Sequence, residues 1–151
     1  GLERAAAQQY MERYFARYPG VAEYMRATRE KAREQGYVET VFGRRLWLPE
    51  IRSSNQSRRQ GAERAAINAP MQGTAADLIK MAMIAVQGWI EKQGLAAKLI
   101  MQVHDELVLE VPDGELAAVR RELPRLMTAV AELSVPLVVD VGAGPNWDKA
   151  H

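Results

Sequence analysis

The chain has no cysteine and only two histidines, His104 and His151, among its 151 residues. The first absence removes disulfides, thiolate metal sites and cysteine nucleophiles, and it fits a reducing cytosol. The second makes a histidine-rich zinc site an unattractive reading. No apolar run approaches the roughly 20 residues a membrane helix needs, so no spanning segment is expected. The opening Gly1-Leu2-Glu3-Arg4-Ala5 lacks the basic-then-apolar pattern of a secretion signal. There is no internal repeat, low-complexity tract or dividing linker either. What is present is a soluble, globular balance, 48% hydrophobic and 26% charged residues. A domain of this size buries about 70% of its unfolded surface.

The net charge of +1 is unevenly spread. Residues 26–64 carry ten basic side chains against five acids, while residues 65–151 carry seven against eleven. Such a layout suits a protein that meets a polyanion on one side, and it also suits two ordinary solvated faces.

Helical spacing runs from Ala5 to Arg17, with Tyr10 and Phe15 available for burial, and Tyr18-Pro19-Gly20 breaks it. A second helix is predicted from Val21 to Gln35, stopped by Gly36. The β-rich run 37–42, a turn at Gly43-Arg44 and the alternating 45–48 predict a hairpin. Helical composition then extends from Arg58 to about Lys92, with Ser57 as candidate cap and an interruption near Pro70. Leu78, Ile79, Met81, Met83 and Trp89 in this stretch read as core. Two strands, 98–103 and 107–111, follow. A helix over 115–132, distorted at Pro124, and a third strand over 135–142 complete the chain. The expected fold class is α+β, an antiparallel sheet with long helices packed on one face.

Two patterns carry chemistry. His104-Asp105-Glu106 falls between two apolar strands, where the chain must reverse. Carboxylates there stay hydrated or ligate a cation, and their hard oxygens are the ligands magnesium prefers. An ordinary charged turn accounts for the same residues. Arg64, Asn68 and Gln72 are spaced at i, i+4 and i+8, so on a continuous helix they share one face over about 12 Å. Long donors on a surface of small residues can reach the minor-groove acceptors adenine N3 and thymine O2. A solvated amphipathic stripe is the alternative. Arg58 and Arg59 precede the stripe and Arg44 and Arg45 tip the first hairpin. All four suit phosphate contact or simple surface solubility.

In wording and order, Ala65-Ala66-Ile67-Asn68-Ala69-Pro70-Met71-Gln72-Gly73-Thr74-Ala75-Ala76-Asp77 followed by Gln102-Val103-His104-Asp105-Glu106-Leu107-Val108 resembles the bacterial A-family DNA polymerases. So do Gly36-Tyr37-Val38-Glu39-Thr40, Phe42-Gly43-Arg44-Arg45 and the ending Gly144-Pro145-Asn146-Trp147-Asp148. The resemblance covers essentially the whole chain. It implies the C-terminal part of a right-hand polymerase fold, with about 1–72 the end of the fingers and a hairpin, and about 73–151 palm with a palm-type sheet. It implies template-directed addition of deoxynucleotides to a primer 3′-hydroxyl, in replication and repair in the bacterial cytoplasm. Primer-template DNA and deoxynucleoside triphosphates are the implied partners and two Mg2+ ions the implied cofactors. Asp105 and Glu106 are then the catalytic acids and metal ligands. His104 touches the primer terminus, Arg64, Asn68 and Gln72 the minor groove, and Arg58 and Arg59 the DNA backbone. The family's partner aspartate and its triphosphate-gripping helix lie upstream of Gly1, so the isolated chain is expected to be inactive. A non-catalytic DNA-binding module, or an independent metal-dependent phosphoesterase using Asp105 and Glu106, are the competing readings.

Overall fold

Proline and glycine set the boundaries of the first two helices in the computed structural model, which describes residues 4–150. Helix α1 spans Arg4–Arg17 and α2 spans Pro19–Gln35, with only Tyr18 between them. Pro19 opens α2, where its missing N–H costs no hydrogen bond, and Gly36 closes it in the left-handed region at φ 80°. The expected burial of Tyr10 does not occur: it is 72% exposed. Neither core takes a residue from α1 among those described, and its Tyr14 ring meets Phe15 and Tyr18 instead.

Two compact units divide the chain, Gly1–Thr74 and Ala75–His151. In the first, strands β1 (Tyr37–Glu39) and β2 (Arg45–Trp47) pair antiparallel, shorter than the β-rich run predicts. The buried Thr40 ends β1 early. Its hydroxyl accepts the Phe42 and Arg44 backbone N–H groups, each at 3.2 Å, turning the chain before residue 41. Buried Ala32, Val38, Leu48, Ile51, Ala62 and Ala66 form this unit's core.

Helix α3 runs from Gln56 to Gln93. Its cap is Asn55 rather than Ser57: the Asn55 carboxamide oxygen accepts the Arg58 N–H at 3.1 Å. Pro70 lies inside α3 without ending it, so the interruption expected there is absent. A proline removes one helical N–H and crowds the preceding turn. Thr74, one turn on, donates its hydroxyl to the Pro70 carbonyl at 2.5 Å, and its oxygen accepts the Val41 N–H at 3.0 Å. The helix is thereby tied to the first hairpin just past the proline. Helix α4 (Leu116–Thr128) repeats the device, with Thr128 donating to the Pro124 carbonyl at 2.7 Å.

The second unit holds β3 (Lys98–Val103) and β4 (Glu106–Glu110), paired antiparallel. Val86, Ile90, Ala97, Val119 and Leu123 are its buried core. Leu107 and Leu109 pack against that core with Trp89, as expected of Trp89 from its spacing; Leu78, Ile79, Met81 and Met83 are half-buried. The α+β class stands, built from two separate two-stranded sheets. The third strand expected over 135–142 is not formed. Leu137, Val139 and Val141 are half-buried while Val138 and Asp140 are exposed, so the strand-like alternation is there without a ladder. Periodicity reads the side chains and is blind to whether a neighbouring edge can supply hydrogen bonds.

Candidate functional site

Apolar strands in fixed register create the reversal at residues 104–105. Val103 pairs with Glu106, so the loop is only His104-Asp105, and Glu106 is the first residue of β4 rather than part of the turn. Two-residue hairpin loops need positive φ, and His104 supplies it at φ 51°. For a residue with a side chain this is an uncommon, strained conformation of the kind that collects at functional sites. The Gln102 carboxamide donates to the His104 carbonyl and braces the loop. His104, Asp105 and Glu106 are all exposed.

The register also decides which way Glu106 points. Leu107 and Leu109 pack on the core, so Glu106, Val108 and Glu110 lie on the opposite face of β4. A bulge at Ile100, between the Leu99–Leu109 and Met101–Val108 pairs, adds a residue to β3 and brings Val103 opposite Glu106. Bulges of this kind bend a strand and re-aim the side chains beyond it.

The polar stripe belongs to the first unit. Arg64, Asn68 and Gln72 are exposed on α3, while Ala62, Ala66 and Ile67 beneath them are buried. Tyr24 donates its hydroxyl to the Ile67 carbonyl at 3.1 Å and pins α2 to this stretch. A Cβ built on Gly73 would stand 2.7 Å from Thr40 Cγ2, and Arg44 donates to the Gly73 carbonyl at 3.0 Å. Position 73 therefore has to be glycine for α3 to approach the hairpin this closely.

The four arginines read from sequence as phosphate contacts are partly committed elsewhere. Arg59 donates to the Ser53 carbonyl at 2.9 Å and is half-buried, while Arg58 stays exposed, 3.7 Å from Glu50. Arg44 is bonded to Gly73 as described. Arg45 pairs with Glu39 at 2.9 Å and lies over the Tyr37 ring at 4.5 Å. The Glu39 hydrogen bond holds the Arg45 guanidinium above its ordinary pKa.

Asp105 and Glu106 offer the hard oxygen donors that suit magnesium, which commonly takes one or two carboxylates and completes its shell with water and substrate phosphates. Among the described residues no group of three or more His, Cys, Asp or Glu gathers to hold an ion. The pair fits a cation shared with a phosphate-bearing substrate and with further ligands, and does not form a closed protein cage.

One neighbour of this site is not signalled by any local pattern. Trp147, far along the chain, donates its indole N–H to Glu106 at 3.4 Å. The dense turn chemistry of Gly142-Ala143-Gly144-Pro145-Asn146 foretells a fold-back but not what it meets.

The sequence pattern of DNA polymerase family A matches residues 1–149. DNA polymerase I of Pseudomonas aeruginosa is 60% identical over 151 residues, which is 100% of this chain and 16% of that protein. DNA polymerase I of Rhizobium leguminosarum is 46% identical over 159 positions, covering 99% of this chain and 15% of that protein. The POL domain of Pol1 from M. smegmatis, solved in complex with DNA primer-template and dNTP, matches with a TM-score of 0.96 at 47% identity. That match covers 99% of this chain and 26% of the other. The fold is that of part of a polymerase domain. The chain belongs to DNA polymerase family A, and it spans 15–16% of the length of the two curated relatives just described.

Proposed function

We propose that this chain is the C-terminal part of a template-directed DNA polymerase that extends a primer 3′-hydroxyl in bacterial replication and repair. Residues to about 72 would then end the fingers, and those from about 73 belong to the palm. The observation that carries the reading is the exposed Asp105-Glu106 pair, where a two-residue reversal enters β4, in a chain of this family. Relatives named DNA polymerase I and a neighbour solved with primer-template and dNTP support the choice of substrates.

Asp105 and Glu106 would hold divalent cations against the triphosphate. Bound magnesium lowers the pKa of an attacking hydroxyl and stabilises charge on the departing pyrophosphate. The chain's own contribution is to fix one carboxylate on a tight two-residue turn and the other on the first residue of a hydrogen-bonded strand, where little reorganises during reaction. His104, exposed beside them, would contact the primer terminus. Arg64, Asn68 and Gln72 would read minor-groove acceptors common to all base pairs, testing geometry and not sequence. Arg58, with an exposed side chain, suits the DNA backbone better than Arg59, whose guanidinium already serves Ser53.

Too few ligands are gathered here to work alone. The purified 151-residue chain is expected to show no primer extension in magnesium, while retaining salt-dependent affinity for duplex DNA. Extension by this chain, lost on Asp105→Asn, would overturn the expectation. Magnesium-dependent hydrolysis without extension would favour the phosphoesterase reading. In the full polymerase, Arg64→Ala and Gln72→Ala should each weaken primer-template binding or mismatch discrimination about tenfold, the ordinary worth of one groove contact. Titration of matched and mismatched termini checks this, and unchanged values in both variants remove the minor-groove role.

A further inference from the structure

Glu106 is approached by a residue that the proposed function leaves without a task. After Val141, which packs on the second unit's core, the chain doubles back on itself. A Cβ on Gly142 would lie 1.7 Å from the Ala150 carbonyl oxygen, and one on Gly144 would lie 2.5 Å from the Lys149 carbonyl. Only glycine permits backbone to approach backbone at these points. Asn146 then caps the 3-10 turn Trp147–Lys149, its side-chain oxygen accepting the Lys149 N–H at 3.0 Å. This closed loop presents Trp147, whose indole N–H donates to Glu106 Oε2 at 3.4 Å across 41 positions of sequence.

We propose that Trp147 is a positioning residue for Glu106, its indole N–H fixing how the carboxylate is turned toward the cation at the reversal. The inference rests on the polymerase reading of that reversal. A glutamate side chain gives up rotamer freedom when it adopts one geometry. A rigid donor that orders it beforehand removes that cost from the reacting complex. Indole suits the task because it donates one hydrogen bond and accepts none, so it cannot take a proton from the site. Groups that orient a metal-binding carboxylate in this way commonly change metal affinity or activity when removed.

The test is Trp147→Phe in the full polymerase, which keeps an aromatic ring and deletes the donor. The rate of nucleotide addition should fall about tenfold, with KM for primer-template unchanged and half-saturating magnesium raised. In a Glu106→Ala background the same substitution should cost nothing further, because there is no carboxylate left to orient. A second readout needs neither metal nor turnover: the 15N-indole resonance that disappears in Trp147→Phe should shift in Glu106→Ala. Equal losses with and without Glu106, full activity in Trp147→Phe, or an indole resonance indifferent to Glu106→Ala would each overturn the proposal. Asp105→Asn distinguishes the two levels, since a fully active Asp105→Asn enzyme removes the reversal from the metal site while the indole resonance still decides the contact.

Discussion

Asp105→Asn in the full polymerase should lower single-turnover nucleotide addition by about 10³-fold or more, equivalent to about 4 kcal/mol of transition-state stabilisation. Primer-template affinity should hardly move. The substitution keeps the side chain's size and shape, removes the charge and exchanges one carboxylate oxygen for an amide nitrogen, so it tests the charge and the oxygen donor together. Asp105 is exposed at the tip of the hairpin and has no ion-pair or hydrogen-bond partner among the described residues. Its replacement leaves no buried group unsatisfied, and folding stability should be unchanged. Quench-flow kinetics and DNA titration on one preparation separate the two effects. A rate within tenfold of the parent would remove Asp105 from the metal site, and a parallel loss of DNA affinity would make it a binding residue instead.

The second large effect is predicted for stability. Gly73→Ala places a methyl group 2.7 Å from Thr40 Cγ2, where neither side can easily give way. Thr40 is buried, and its hydroxyl holds two backbone N–H groups of the hairpin turn. Moving it also strains the Val41–Thr74 and Arg44–Gly73 hydrogen bonds that tie the turn to α3. Overpacking of this sort costs about 1–3 kcal/mol, and the upper half of that range is expected here. Thr40→Ser deletes the offending methyl and keeps the hydroxyl, so Thr40→Ser/Gly73→Ala should recover most of the loss. Denaturant midpoints for the two single variants and the double variant decide it. Simple additivity of the two would mean that the close approach is not what makes position 73 glycine.

Sequence patterns reached the local elements well where chemistry is local. Gly36 ends a helix, Pro19 begins one, and the His104-Asp105 reversal follows from two apolar runs with polar residues between them. Pro70 misled because its local rule is sound and was overridden: α3 continues through it, with Thr74 bonded to its carbonyl. The strand expected over 135–142 failed for another reason, since alternation in one segment cannot report a pairing edge. Arg59 carries a contact that composition does not report: one guanidinium N–H goes to the Ser53 carbonyl, a meeting set by tertiary approach. Trp147 lies furthest from prediction, because its meeting with Glu106 depends on a fold-back spanning the last strand, helix and loop.

The φ of 51° at His104 carries a consequence for how this hairpin can vary. Left-handed backbone is adopted most readily by glycine and asparagine, and an imidazole gains nothing there from the turn itself. Conformational ease alone therefore favours glycine or asparagine over histidine at position 104.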